Sequence, residues 1–141
     1  MDGISAASAV ASLVILGGKV TVQAHGFLSK IKECPKRVKN IEIDLRSTTS
    51  ILEKLETTFK DDSSDSGSFN LAGKRDEFQS TIDGVKEVFS ELSELIKKYD
   101  GVSFWKKARW ASTGLDEATQ LGRLLSTQKQ NLAFILQLAQ R

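Results

Sequence analysis

The apolar residues of this chain recur at a helical period. From Val10 onward, apolar or small residues alternate three and four positions apart, which places them on one face of a helix. These residues are Val10, Leu13, Gly17, Val20, Ala24, Phe27 and Ile31. The spacing predicts a first helix from about Ile4 to Glu33. Pro35 cannot continue that helix but suits a first helical turn, so it is predicted to begin the second helix.

Two further apolar stripes of the same spacing follow. The first is Val38, Ile41, Leu45, Thr48, Leu52, Leu55 and Phe59, in which only Thr48 is polar. The second is Phe78, Ile82, Val85, Phe89, Leu92, Ile96 and Tyr99. They predict a second helix that begins at Pro35 and a third from about Arg75 to Lys98, each roughly 36 Å long at about 1.5 Å per residue. Because the two helices have equal lengths, they can pack side by side.

The segments between the predicted long helices also have informative sequence patterns. Residues 60–73 are rich in Asp, Ser and Gly without a sustained period, which predicts an exposed loop. A short helix is expected from Phe104 to Ala111, and Thr113 with Asp116 resembles a capping box that would begin the last helix. The inward residues of that helix are predicted to be Leu115, Leu121, Leu125, Leu132, Ile135 and Ala139, with Gln128 interrupting them.

These patterns predict an all-α fold, an antiparallel up-down bundle of four long helices plus a short helix before the last one. Helices joined by short turns tend to be antiparallel neighbours, which makes this the simplest architecture. The length of 141 residues fits one domain over residues 1–141. The single cysteine, Cys34, cannot form an intramolecular disulfide, and a free thiol suits the reducing cytosol or nucleus, of which the cytosol is the default expectation.

The N-terminal segment is apolar but short. Residues 3–18 carry no charge and include the run from Ala9 to Leu16. A bilayer span needs about 20 predominantly apolar residues, and a secretory signal needs a basic start, whereas this chain begins Met1-Asp2-Gly3. The segment therefore predicts neither a signal peptide nor a resting transmembrane helix.

The residues that usually carry catalysis are scarce. His25 is the only histidine, no nucleophile motif accompanies it, and one histidine with one cysteine cannot form the usual zinc site. Gly17-Gly18-Lys19 lacks the other positions of a phosphate-binding loop, so the glycines are interpreted as allowing close helix packing. The chain is predicted not to be an enzyme and to need no metal or cofactor.

Charge is concentrated although the net charge is only +2. Residues 30–39 and residues 97–109 each carry five basic residues against one acidic residue. The basic residues are Lys30, Lys32, Lys36, Arg37, Lys39, Lys97, Lys98, Lys106, Lys107 and Arg109. In an up-down bundle the two segments lie at one end, which we call the basic end and expect to attract anionic lipid. Complementing helix dipoles explains part of the pattern, and nucleic acid is disfavoured because no binding motif is present.

Trp105 and Trp110 bracket three of these basic residues. Such a mixture suits stacking on bases or a lipid interface, and it equally suits structural anchoring of the short helix. The sequence leaves both interpretations open.

Three segments of the sequence together resemble a known family. They are the opening MDGISAASAVASL, the junction Glu33-Cys-Pro-Lys into the second helix, and WKKARWA from Trp105 followed by LGRLLSTQKQNL from Leu121. They are similar to the fungal HeLo-like N-terminal domains, and the similarity runs nearly end to end as a pattern of helices. The resemblance implies a helical bundle at the N-terminus of fungal receptor-type, ankyrin-repeat or amyloid-signalling proteins. On that basis the chain is expected to be a domain cut from a longer protein or a stand-alone paralogue.

The resemblance also implies a function. Some relatives permeabilise membranes after oligomerising, which implies a cytoplasmic cell-death effector that moves to the plasma membrane when activated. Its partners would be itself, anionic membrane lipids and an upstream receptor or amyloid-signalling region. The implied membrane-active part extends from Met1 to about Val22, with insertion residues Ile4, Val10, Leu13, Val14, Ile15 and Leu16. The alternative is a non-lytic protein-interaction or oligomerisation module, and a deeply buried first helix would favour it.

Overall fold

A computed structural model of the chain describes residues 3–31, 35–61, 75–100 and 108–140. Four long helices account for most of these residues: α1 (Gly3–Ser29), α2 (Lys36–Asp61), α3 (Arg75–Tyr99) and α4 (Leu115–Ala139), the last preceded by a π-helical turn at Trp110–Gly114. The four described ranges contain no strand. The predicted all-α fold of four long helices with a short helical element before the last is confirmed.

The helix boundaries follow the local signals. α2 begins one residue after Pro35, whose carbonyl accepts the first backbone hydrogen bonds from Val38 and Lys39. α1 ends at Ser29, before the predicted Glu33, which lies outside the described residues. The amides of Lys30 and Ile31 bond to carbonyls three residues back, and such a tightened last turn closes the helix.

The helices alternate in direction. Contacts between Gly17 and Thr49 and between His25 and Glu42 show that α1 and α2 are antiparallel. α3 and α4 are also antiparallel, because Lys98 near the end of α3 pairs with Glu117 near the start of α4, while Gly84 in α3 lies beside Gln128 further along α4. The predicted up-down order is therefore present.

The order of the helices around the bundle differs from the simplest arrangement. In the described ranges, α1 packs against α2 and α3, and α4 packs against the same two helices, whereas no Cα atoms of the pairs α1–α4 and α2–α3 come within 8 Å. Across the α2–α3 diagonal, the rings of Phe59 and Phe78 still meet edge to face at 5.7 Å. α2 and α3, consecutive along the chain, thus lie diagonally across the bundle. Lys129 bonds Asp44 at 2.8 Å between α4 and α2, while Gln23 accepts a 3.0 Å hydrogen bond from Ser93 between α1 and α3.

All four helices point their predicted stripes inward. The core includes Leu45, Leu52, Leu55, Phe89 and Leu125, all completely buried. Leu115 and Leu121, also predicted to face inward, are partly buried against this core. The core is continuous across α1 to α4, as expected for a single domain.

The two polar interruptions are accommodated by different means. Thr48 is fully buried, and its hydroxyl is satisfied because it donates a 2.6 Å hydrogen bond to the carbonyl of Asp44. Gln128 lies over Gly84, where a Cβ atom would come within 2.5 Å of its amide nitrogen. Glycine at position 84 therefore makes room for a polar side chain in the stripe of α4.

The predicted capping box at Thr113 and Asp116 is wrong. Residues 108 and 109 are already helical, and the chain continues through the π turn into α4 with helical φ and ψ at Gly114 (−61° and −37°). The Thr113 hydroxyl donates back to the carbonyl of Arg109 at 3.2 Å, as it does inside a helix. A capping box needs a free helix start, and position 113 has none.

We expect a charge placed in this core to be strongly destabilising. Leu52→Asp and Phe89→Asp each introduce a carboxylate at a completely buried position, so each should lower the free energy of unfolding by more than about 3 kcal/mol. Urea denaturation followed by circular dichroism measures the change. The matched control is Ile43→Asp on α2, at a side chain 60% exposed, which should change stability by less than about 0.5 kcal/mol. Cooperative melting of either core variant at an unchanged temperature would contradict the packing.

Candidate functional site

The first helix has an inner face that is packed against α2 and α3. Along this face Ala6, Val10 and Val20 are completely buried, and Leu13 and Ala24 are 3% exposed. The predicted insertion residues Val10 and Leu13 thus lie in the core of the closed bundle. Both residues also belong to the apolar stripe predicted to face inward, and their role in insertion stays a prediction.

The outer face of α1 carries apolar residues in solvent. Ile15 is 74% exposed and Val22 is 73% exposed, and Lys19 lies between them on the same stripe. Val14 and Leu16, also predicted for insertion, are partly buried beside the core, and the side chain of Ile4 lies outside the described part of the structure. Of the predicted insertion residues with a described side chain, Ile15 alone faces solvent.

Val22 was missed as an exposed apolar residue by the reasoning from sequence. The signal was available, because Val22 follows Ile15 by seven positions and so falls on the same face of the helix. The helical spacing places Val10, Leu13 and Val20 on the inner face, so the stripe of Ile15 and Val22 must point outward.

Close approach of α1 to its neighbours depends on Gly17. A Cβ atom at this position would lie 2.6 Å from Oγ1 of Thr49 and 3.0 Å from the ring of Phe89. The Thr49 hydroxyl is itself fixed by a 2.8 Å hydrogen bond to the carbonyl of Leu45. The interpretation of the glycine pair as a packing device is therefore confirmed for Gly17. Gly18 has no atom within 4 Å of its Cβ position and faces open space.

Within the described ranges, polar side-chain contacts tether the C-terminal part of α1 to its neighbours. Gln23 accepts a hydrogen bond from Ser93, His25 lies 3.1 Å from a Glu42 carboxylate oxygen, and Lys30 pairs with Asp100 at 3.3 Å. Among the described residues, side-chain hydrogen bonds and ion pairs from α1 to other helices occur only from Gln23 onward. Residues 6–22 are held by apolar contacts.

An aromatic cluster closes the same end of α1. The rings of Phe27 and Trp110 meet edge to face at 4.9 Å, and Tyr99 meets Trp110 at 5.8 Å. Trp110 is 7% exposed, and Gly114 leaves room for its ring. The anchoring interpretation of Trp110 is thus supported, while Trp105 lies outside the described residues. The cluster ties α1, α3 and the π turn together.

The length and composition of α1 also fit a bilayer. Residues 6–29 form the one helix in the described ranges that is long and apolar enough to cross a membrane, and Lys19 is the only Lys, Arg, Asp or Glu among them. The core helix of a soluble protein can pass the same test, so this property is weak evidence for a membrane span. α1 combines a buried inner face with an exposed apolar outer face.

The two basic segments meet at one end of the bundle. The 3.3 Å pair of Lys30 with Asp100 joins them directly, and the Phe27–Trp110 contact lies beside it. The predicted basic residues whose side chains are described are Lys30, Lys36, Lys39, Lys97, Lys98 and Arg109, and all six are exposed. Lys32, Lys106, Lys107 and the side chain of Arg37 lie outside the described part of the chain.

The six basic side chains differ in how far they are neutralised. Lys97 approaches Glu94 at 4.0 Å and Lys98 approaches Glu117 at 3.5 Å, while Lys30 pairs with Asp100 as described above. Lys36, Lys39 and Arg109 form no ion pair with another described residue. Within the described ranges, no carboxylate neutralises these three side chains. Within the described ranges, no group of three or more His, Cys, Asp or Glu side chains is placed to hold a metal ion.

Comparison with known proteins gives no match: no family model, no curated protein and no solved structure matches this chain. The resemblance to HeLo-like domains stays a prediction from the sequence. The outer face of α1 and the basic end are the features from which a function is argued.

The two adjacent glycines of α1 should respond oppositely to alanine. Gly17→Ala forces a Cβ against Thr49 and Phe89 and should lower the free energy of unfolding by about 1–2 kcal/mol. Gly18→Ala enters open space and should raise it by up to about 1 kcal/mol through helix propensity. Chemical denaturation of the wild type and both variants measures these changes in the free energy of unfolding. Equal effects would show that α1 does not dock through Gly17.

Proposed function

We propose that this domain binds and permeabilises membranes through α1, after the basic end has drawn it to anionic lipid and copies of the domain have oligomerised. The observation that carries the proposal is the outer face of α1, where Ile15 and Val22 are both more than 70% exposed on a helix of bilayer-spanning length. Exposed large apolar side chains on an otherwise weakly charged helix are the feature by which interfacial helices bind lipid.

The basic end supplies the long-range attraction. Lys36, Lys39 and Arg109 are exposed without an ion-pair partner in the described ranges, and each is worth up to about 1 kcal/mol near an anionic lipid surface. The charges act before the apolar side chains reach the lipid, because electrostatic attraction extends over about 8 Å at physiological ionic strength.

Closed packing of α1 explains why such a domain would be inactive at rest. Val10, Leu13 and Val20 are buried on its inner face, and full burial of each contributes about 1.5–3 kcal/mol. Freeing α1 therefore costs several kcal/mol, which an upstream receptor or amyloid-signalling region would supply by clustering copies of the domain. The favourable free energy of contact between α1 and lipid offsets the rest of the cost of freeing the helix.

Release of α1 would begin at its N-terminal end. Residues 6–22 have only apolar contacts to lose, and lipid replaces apolar contacts, whereas the tethers at Gln23, His25 and Lys30 keep the C-terminal end on the bundle. In this proposal the domain resides in the cytoplasm and moves to the plasma membrane when it is activated. Val10 and Leu13 reach lipid only after release, and Ile15 and Val22 make the first contact.

The second candidate is a non-lytic interaction or oligomerisation module. Complete burial of Val10 and Val20 favours it, because a permanently docked α1 never presents its inner face to lipid. Under this alternative the outer face of α1 binds protein, and added vesicles do not change the state of the domain.

Vesicle binding and dye leakage test the proposal. Ile15→Glu and Val22→Glu should keep the fold, because both side chains are exposed, and should reduce leakage at least tenfold by removing the apolar contact. Leu13→Glu is unsuitable, since Leu13 is buried and the variant would lose stability. Ile43→Glu, on the exposed surface of α2, is the matched control and should leak like the wild type.

Reversal of charge tests the recruitment step separately. Lys36→Glu, Lys39→Glu and Arg109→Glu together should weaken binding to vesicles containing phosphatidylserine by about a hundredfold, and added salt should weaken wild-type binding in the same way. Both the wild type and the charge variant should bind only weakly to vesicles of phosphatidylcholine alone, at every salt concentration. A wild type that neither binds vesicles containing phosphatidylserine nor makes them leak would favour the interaction module. Leakage that the charge variant and Val22→Glu both retain would show that a surface other than the basic end and α1 acts on lipid.

A further inference from the structure

The outer face of α1 has the character of a helix-packing surface. Ile15 and Val22 project from it seven residues apart, and between them Gly18 leaves open space at its Cβ position. Large side chains that alternate with a small residue let a second helix approach closely, as ridges fit into grooves. Lys19 lies between the two large side chains and forms no ion pair with any described residue.

A groove suited to a helix lies on the opposite side of the molecule, between α3 and α4. Leu95 and Leu121 form its apolar floor, and Leu124, 48% exposed, stands at its α4 wall. The groove extends from Glu91 to Lys98 along α3, seven residue steps, which equals the separation of Ile15 and Val22 along α1. Both distances are about 10 Å at a rise of about 1.5 Å per residue.

The charges of the two surfaces are complementary. The groove carries three carboxylates, of which Glu94 pairs with Lys97 and Glu117 pairs with Lys98. Glu91 is left without an ion pair among the described residues. An unpaired lysine on one surface thus matches an unpaired glutamate on the other.

We propose that two copies of this domain associate by placing the α1 outer face of one copy in the α3–α4 groove of the next. Ile15 and Val22 would pack on Leu121 and Leu124, and Lys19 would approach Glu91. Because the two surfaces are different and lie on opposite sides of the bundle, the contact is head to tail. Such a contact extends into chains or closes into rings, whereas a two-fold dimer would use one surface twice.

This assembly rests on the self-association in the proposed function, and it is a lipid-free form of it, distinct from the oligomer that acts on the membrane. In solution it covers the apolar residues that would otherwise meet lipid, so a second copy and a membrane compete for the same face of α1. The test therefore excludes lipid, and its failure leaves the vesicle experiments unaffected. Conversely, Leu124→Glu lies outside the proposed lipid-binding surfaces and should leave initial vesicle binding unchanged.

Sedimentation velocity is the experiment, over protein concentrations from about 10 µM to about 1 mM, the range in which a contact of small area associates. The average mass of the wild type should rise with concentration beyond that of a dimer. Val22→Glu removes the α1 surface and Leu124→Glu removes the groove, so each variant alone should stay at the 15.5 kDa of a monomer. Both substituted side chains are exposed, and thermal melting confirms that the fold is kept.

Mixing the two variants gives the decisive result. Each retains the surface that the other has lost, so an equimolar mixture should form a species of twice the monomer mass and no larger. Ile43→Glu should assemble like the wild type. In addition, Lys19→Glu should weaken assembly severalfold, and Glu91→Lys in the same chain should restore it.

Three outcomes would overturn the proposal. A wild type that stays monomeric throughout would show that copies of the domain do not associate through these surfaces. Assembly by Val22→Glu or Leu124→Glu alone would place the interface elsewhere. A mixture of the two variants that stays monomeric would show that the two surfaces do not bind each other.

Discussion

The close packing of α1 between α2 and α3 is the constraint on which the rest of this structure depends. It requires the absence of a side chain at Gly17, because Thr49 and Phe89 occupy the space where a Cβ would lie. That approach buries Val10, Leu13 and Val20 together and leaves the opposite stripe of α1 in solvent. One contact thus decides which apolar residues stabilise the fold and which remain available to lipid or protein.

Helical period in the sequence was sufficient to predict the elements and most of the core. The stripes of α2 and α3 are buried as predicted, and Pro35 marks the start of α2 within one residue. Period was insufficient to predict the neighbours of each helix, because a stripe specifies which face is inward and not which helix it meets. The diagonal placement of α2 and α3 therefore had to come from the structure. At Thr113, a local capping pattern was overridden by a helix that had already begun.

The residues of the candidate site were predictable from the sequence, and the helical period also contains the orientation of α1. Val10, Leu13 and Ile15 form part of one apolar run in the sequence, yet the helix sends the first two into the core and the third into water. The basic end could be predicted more fully, because the alternating direction of the helices brings the described basic residues of the two segments, such as Lys30 and Lys98, to the same end of the bundle. Ion pairs then separate the exposed lysines that are partly neutralised from Lys36, Lys39 and Arg109, a distinction that the sequence alone does not contain.

The central claim is that α1 is the element that leaves the bundle, and that it does so from its N-terminal end. Residue-resolved hydrogen exchange of the lipid-free protein tests this most directly, because it measures the opening free energy of each amide. We predict that the amides of residues 6–22 become exposed to exchange at lower free energy than those of residues 23–29 and those in the cores of α2 and α3. Exchange of all of α1 only at the free energy of global unfolding, equal to that of Leu52 and Phe89, would contradict it.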